Sequence, residues 1–530
     1  MMDSFEVTTE NDERLTMGGI HRTNRTFMLF AVLMAVFVVP SSISGTAIAL
    51  PFISVELQSD PASLQWVVNA FNLTFACFTL IWGKFADVFG RKRSFIAGAL
   101  IYTLASIGSG LAPNILWLDI FRALAGIGGA AIFSCGSALF TQTFEGEQRT
   151  RVFALFGVTA GLGITFGPTV SGILLELWSW QAIFAMHAVV LTAVLVMSSN
   201  IPSDADEVGS VSQVDFPGAA LFIAGMFLLM LAVSRGYEWG WLSLKTALAV
   251  LLGGVMFILF IVRVKRAVHP VLNLGLLRNH GFLGLILVPV VASFTFVTLL
   301  TYFPTYLTGM MQQSAATAGL MMLFLTLPVL VLPLIAGNLV SRGVRTTRLI
   351  FFSIVCMLLG IGLLGLLVEL SVSLSWLAAA LLLIGIGMGI SAGLVDGEAL
   401  SSVNADETGM AAGVLNTFRL GSEAVAVALY GAFISASLTR LVPEHLSQLK
   451  GGNDEAWIAG MASGNFTELL EQVNAREQAV LSHEMIAVYK MAFTTTNALL
   501  GSIAVIVSLL AMYCLRKGNR LVHCREALRR

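Results

Sequence analysis

A chain of 530 residues that is 57% hydrophobic and only 12% charged cannot clothe a globular surface in water. Its net charge of −1 offers no electrostatic footprint for nucleic acid, and its five cysteines (Cys77, Cys135, Cys356, Cys514 and Cys524) show neither metal-ligand nor disulfide spacing. What remains is a series of apolar runs of about 20 residues, long enough to cross a hydrocarbon core roughly 30 Å thick.

In chain order the runs fall near 27–53, 66–85, 93–112, 114–141, 150–175, 181–199, 215–235, 244–264, 281–308, 315–340, 347–368, 374–401, 409–438 and 488–515. Backbone groups in hydrocarbon must bond within their own segment, so the chain is expected to be an all-α integral membrane protein of fourteen helices. The residues before Phe27 are polar and the first run is too long for a cleavable signal, so none is expected. With both termini on the cytoplasmic side, most of the 30 Lys and Arg face the cytoplasm. Trp66, Trp117, Trp178, Trp180, Trp239, Trp241 and Trp376 then gather at the outer interface as an aromatic belt.

Between the second and third runs lies GKFADVFGRKRSF, residues 83–95. Gly83 permits close helix approach, Asp87 adds a short acid, and Arg91, Lys92 and Arg93 make a basic loop that belongs inside. Residues 337–348, GNLVSRGVRTTR, echo it after the tenth run: Gly337 matches Gly83, Ser341 matches Asp87 and Arg345 matches Arg91. Such repetition marks a transporter of two related halves with its substrate site between them near the midplane.

Other polar features sit inside apolar runs. Arg122 lies in FRALAGIGGA (121–130), with Asp119 three residues earlier on the same helix face, so a structural Asp119–Arg122 pair is one reading and a functional charge the other. The fifth run carries GVTAGLGITFGPTVSG (157–172), whose glycines allow backbones to pack and whose Pro168 bends the helix. Asp396 and Glu398 end the twelfth run. Arg419 and Glu423, four apart, share a face of the thirteenth. There low dielectric favours the neutral acid and the guanidinium favours the anion, so Glu423 suits proton carriage, with a static Arg419–Glu423 ion pair as the structural alternative. His187 in the sixth run reads as a satisfied packing residue.

These motifs resemble the major facilitator superfamily, and the chain from Phe27 to Leu515 is similar to its fourteen-span drug:proton antiporter-2 branch. The resemblance implies a major facilitator fold of two six-helix bundles plus two extra helices. The expected division is a cytoplasmic tail 1–26, a bundle 27–199, a linker with two further spans 200–280, a second bundle 281–515 including an outer loop 439–487 of short amphipathic helices, and a tail 516–530. The resemblance implies a conformational switch at Gly83, Asp87, Gly90 and Arg91, and a second at Gly167 and Pro168. Ser171 replaces the first of the final two glycines usual there.

The branch places an acid in the first run. Here SSISGTAIALP puts Ser42 and Ala47 at the polar positions. Proton coupling is therefore expected from Glu423 or Asp396, with Glu398, Asp119, Arg122 and Arg419 as further candidates. The expected substrate cavity comprises Ser42, Asn69, Phe71, Arg122, Phe294, Tyr302 and Arg419. Buried Arg122 and Arg419 would suit carboxylates or phenolates.

The implied activity is proton-coupled multidrug export across the cytoplasmic membrane by alternating access. It needs no cofactor beyond the proton gradient, has small molecules, protons and the lipid bilayer as partners, and works as a monomer. No phosphate-cradling loop supports ATP drive. The rival is export of one endogenous metabolite such as a siderophore; a proton-coupled importer ranks below it, and a receptor or intramembrane enzyme last. The 439–487 loop could dock a periplasmic adaptor, although nothing in its sequence demands one.

Overall fold

Helix boundaries follow caps and breakers in the sequence. The computed structural model describes residues 3–59, 64, 66–200, 214–240, 243–370, 372–404, 407–446, 454–463, 466–471 and 475–529. Trp241 and residues 201–213 of the expected linker lie outside the described residues. The long helices are α1 (Asp3–Leu57), α2 (Trp66–Phe89), α3 (Arg91–Gly110), α4 (Ile115–Thr143), α5 (Gly146–Leu177), α6 (Trp180–Met197), α7 (Phe216–Trp239), α8 (Leu244–Arg266), α9 (His280–Met310), α10 (Ala315–Ser341), α11 (Thr346–Glu369), α12 (Leu374–Ser391), α13 (Thr408–Leu446) and α14 (Ala475–Arg529).

Asn114 caps α4 by accepting from Trp117 N at 3.2 Å, Asn279 caps α9 by accepting from Gly281 N at 3.0 Å, and Ser314 caps α10 by accepting from Thr317 N at 3.1 Å. Gly90, at φ 96°, breaks α2 from α3 where a side chain would be strained. No strand occurs among the described residues.

Thirteen of these helices are long and apolar enough to cross a membrane. The remaining segment is α3, whose first turn holds Arg91, Lys92 and Arg93 and which packs on α2, α4 and α6. The helices coincide with the fourteen apolar runs. α1 begins at Asp3 and α14 ends at Arg529, so helix continues through both expected tails.

The chain forms two compact units: Met1–Ala219 with Ala267–Leu272 and Val403–Asn416, and Ala220–Arg266 with Asn273–Ser402 and Thr417–Arg530. In the first, α1 packs on α5 and α6, while α2 and α3 pack on α4. The α1–α5 crossing is close because small residues meet there. A Cβ on Gly163 would lie 2.6 Å from Phe37 O, and one on Gly167 would overlap Ser44.

In the second unit, α10 and α11 pack on α12, and α9 packs on α14. α7 and α8 belong largely to this unit and meet through Phe222, Phe257 and Phe260. The expected outer loop is largely helical: α13 continues to Leu446, followed by Asp454–Ser463 and Phe466–Glu471. Trp457, Met461, Phe466 and Leu469 are buried in the core of this unit.

α9 is irregular. It holds Pro289 and Pro304 and widens into π-type turns at Ser293–Val297 and Tyr306–Met310. Hydroxyls follow each proline: Ser293 Oγ donates to Pro289 O at 2.9 Å and Thr308 Oγ1 to Pro304 O at 3.0 Å. Such turns inside a helix often mark functional places.

Candidate functional site

Three polar centres stand out, two in the first unit and one in the second. The first joins residues far apart in sequence. Asp87 Oδ1 accepts from Gly409 N at 2.8 Å and Oδ2 from Met410 N at 2.7 Å, so the carboxylate caps the start of α13 from another helix. The positive end of the helix dipole favours an acid at that point. Glycines make the approach feasible: a Cβ on Gly83 would overlap Gly409 O, and one on Gly413 would lie 2.9 Å from Leu80 Cα. Lys84 and Arg91 lie within electrostatic range of Asp87. The structure thus seats Gly83 and Asp87 on the start of α13, with Arg91 within electrostatic range of Asp87 and Gly90 at the break before α3; α13 passes from the first unit to the second between Asn416 and Thr417. Gly167 and Pro168 lie elsewhere, on α5 against α1.

The second centre surrounds Arg122, which is 1% exposed on α4. Its Nε donates to Val67 O at 2.9 Å and its Nη1 to Ser42 Oγ at 2.8 Å. The guanidinium carbon sits 4.5 Å from the centre of the Phe71 ring and 5.7 Å from that of Phe184. Ser42, Phe71 and Arg122 therefore come together. Asp119 is within electrostatic range, but its buried Oδ1 has no hydrogen-bond partner, and neither has Arg122 Nη2, so these atoms do not close the pair read from their spacing. His187 is also not the satisfied packing residue its sequence context suggested. It is 0% exposed, both ring nitrogens lack a hydrogen-bond partner, and Arg122 is within electrostatic range.

The third centre lies in the second unit. A cavity is lined by Val288, Pro289, Val297 and Met388 among apolar residues, with Ser391, Arg419 and Glu423 as its polar wall. Arg419 Nη2 donates to Asp396 Oδ2 at 2.7 Å. The acid paired with Arg419 is thus Asp396, carried by a different helix, where i,i+4 spacing had suggested Glu423. Glu423 stands half-buried on the cavity wall within electrostatic range of Arg419. Gly393, at φ 78°, offsets the short helix Leu394–Ser401 from α12 and so sets Asp396 toward α13.

The remaining expected residues are dispersed. Glu398 lies on the exposed side of its helix, two positions from buried Asp396. Asn69 is half-buried on α2 and Phe294 is buried in the first π-type turn of α9. Tyr302 stacks on Tyr430 with ring centres 4.0 Å apart, and its hydroxyl donates to Val427 O at 3.1 Å.

Sequence reasoning missed three features. Tyr102, whose buried hydroxyl faces Arg122 and Ser42, is a lone tyrosine in an apolar run and gave no signal. Ser391 on the cavity wall gave none either. The hydroxyl pair Ser293–Ser422, 2.8 Å apart, follows Pro289 by one turn, and that proline was the available clue.

The Major Facilitator Superfamily model matches residues 32–427. The chain is 29% identical over 404 residues to the multidrug resistance protein Stp of Mycobacterium tuberculosis, covering 76% of this chain and 74% of that one. It is 30% identical over 424 residues to the puromycin resistance protein pur8 of Streptomyces alboniger, covering 79% and 82%. Among solved structures, the proton:xylose symporter XylE aligns with a TM-score of 0.58 at 12% identity, over 87% of this chain and 99% of that one, a likeness of fold.

Proposed function

The chain belongs to the major facilitator superfamily, and we propose that it is a carrier that exports small amphipathic molecules across the cytoplasmic membrane in exchange for protons. It alternates between outward- and inward-facing states, with both termini inside, and acts as a monomer driven by the proton gradient alone. Export is favoured over import by the names of the similar proteins, a multidrug resistance protein and a puromycin resistance protein. Neither name points to siderophore export.

The observation that carries proton coupling is the position of Glu423. It borders an apolar cavity beside a guanidinium already neutralised by Asp396 at 2.7 Å. An acid so placed can alternate between a proton and ionisation as the cavity is wetted or closed, without an obligatory ion pair to break. Each proton moving inward supplies about 2.3 kcal/mol per 100 mV and about 1.4 kcal/mol per pH unit. Together these sustain a gradient of several hundredfold, on the order of 3.7 kcal/mol, for an uncharged substrate at one proton each.

The test is uptake of puromycin and of a panel of amphipathic dyes into everted vesicles containing the protein. Uptake that requires an acid vesicle interior and collapses with a protonophore is expected. Uptake indifferent to the proton gradient would overturn the coupling, and movement only in the opposite direction would overturn export.

A further inference from the structure

We infer that the buried donors around Arg122 form a binding site for an anionic oxygen, a carboxylate or phenolate on an aromatic molecule. The inference rests on the export reading above and names the substrate class of that carrier.

The two bundle arginines differ in how their charge is met. Arg419 has Asp396 Oδ2 at 2.7 Å. At Arg122 the side-chain partners are hydroxyls, that of Ser42 at 2.8 Å from Nη1 and that of Tyr102 beside it, which offer lone pairs without a charge. Nε is taken by Val67 O, and Nη2 has no acceptor. Asp119, the nearby acid on α4, leaves Nη2 unmet.

Two further groups point the same way. Both nitrogens of His187 are buried without hydrogen-bond partners, and the Tyr102 hydroxyl is buried against Arg122 and Ser42; both residues are 0% exposed. Tyr102 comes from α3, Arg122 from α4 and His187 from α6, and each of the other two lies within electrostatic range of Arg122. Two helices thus set polar groups beside the guanidinium of a third, where leaving a donor unmet is costly. An anionic oxygen can accept from the Nη2, hydroxyl and imidazole hydrogens together, and charge-assisted bonds of this kind are the strong ones. An organic cation would meet the like charge of the guanidinium, with Asp119 the acid within electrostatic range to offset it. The rings of Phe71 and Phe184, 4.5 and 5.7 Å from the guanidinium carbon, add aromatic walls, which suits an aromatic acid better than an aliphatic one. The cluster is closed in the conformation described, so the ligand reaches it when the bundle opens to one side of the membrane.

The experiment uses purified full-length protein in detergent and two probes of equal shape, 7-methoxycoumarin-3-carboxylate and the corresponding carboxamide, with binding followed by isothermal titration. The wild type should bind the carboxylate about tenfold more tightly than the amide, the scale of one charge-assisted bond. Ser42→Asp, which places a fixed carboxylate beside Nη1, should bring the ratio to about one, since it neutralises the charge the ligand would meet. Tyr102→Phe removes a single hydroxyl and should lower the ratio severalfold; it decides the matter if Ser42→Asp does not fold. Equal binding of the two probes by the wild type, or a ratio unmoved by the substitutions, overturns the site. The same probes in everted vesicles separate this inference from the reading beneath it. Charge-selective binding without transport keeps the site and overturns export, whereas transport without charge preference keeps export and overturns the site.

Discussion

Arg419 Nη2 and Asp396 Oδ2 lie 2.7 Å apart, across the bend that Gly393 introduces after α12. The Asp396 side chain is 4% exposed and that of Arg419 21%, so neither charge is well hydrated alone. Asp396→Ala should destabilise the protein by about 3 kcal/mol, the low end of the cost of breaking a buried pair. The double variant Asp396→Leu, Arg419→Met should recover most of that loss. Thermal unfolding of the purified variants measures both, and a single variant as stable as the wild type would show that the pair contributes nothing.

Glu423 is assigned the proton by position, so an amide there should uncouple transport from the gradient. In everted vesicles Glu423→Gln should still bind substrate but lose its response to vesicle pH, because the amide stays neutral throughout the cycle. Glu423→Asp should restore part of the response. A pH profile for Glu423→Gln that overlays that of the wild type would move the proton to another carboxylate.

The Asp87 carboxylate meets two amides at the start of α13. Removing it by Asp87→Ala should cost about 0.5–2 kcal/mol, the range for loss of a helix cap. If the cap forms in one conformation of the cycle and not the other, a cost of about 1.4 kcal/mol shifts their ratio about tenfold. Hydrogen–deuterium exchange should quicken at Gly409 and Met410, with transport falling in parallel. Exchange there identical to the wild type would remove Asp87 from the switch.

A Cβ on Gly45 would overlap Ser171 Oγ and lie 2.9 Å from Gly167 O. Gly45→Ala should therefore loosen the α1–α5 crossing and cost about 1–3 kcal/mol through overpacking. Ser171→Gly, which removes the hydroxyl but leaves the Gly167 carbonyl in place, should rescue only part of that loss. Unfolding temperatures of the single and double variants give the coupling. Full additivity would mean that the two positions do not meet.

The helices were legible because apolar runs set their length and glycine, proline and capping residues set their ends. The loop carrying Asp87 was legible too, but its partners were not: Gly409 and Met410 lie more than 300 residues away, and no local pattern encodes a carboxylate seated on a distant helix end. Arg419 misled for a related reason. Spacing along one helix offered Glu423, whereas the offset at Gly393 supplied Asp396 from another. His187 looked like ordinary packing because its isolation from partners exists only after α4 and α6 assemble.

The π-type turns of α9 give length a meaning that composition lacks. Each holds one residue more than an ordinary turn, so losing one residue there lets the turn close to α-helix with the downstream phase kept, whereas losing one from an ordinary turn would rotate everything downstream by about 100°. A deletion inside Ser293–Val297 would consequently keep Tyr302 over the ring of Tyr430 that it now covers, while one between Thr298 and Thr301 would dial it away. The π-type turns are thus the places where α9 tolerates a change of length, and its regular turns are where one position more or less resets which side chains look toward α13.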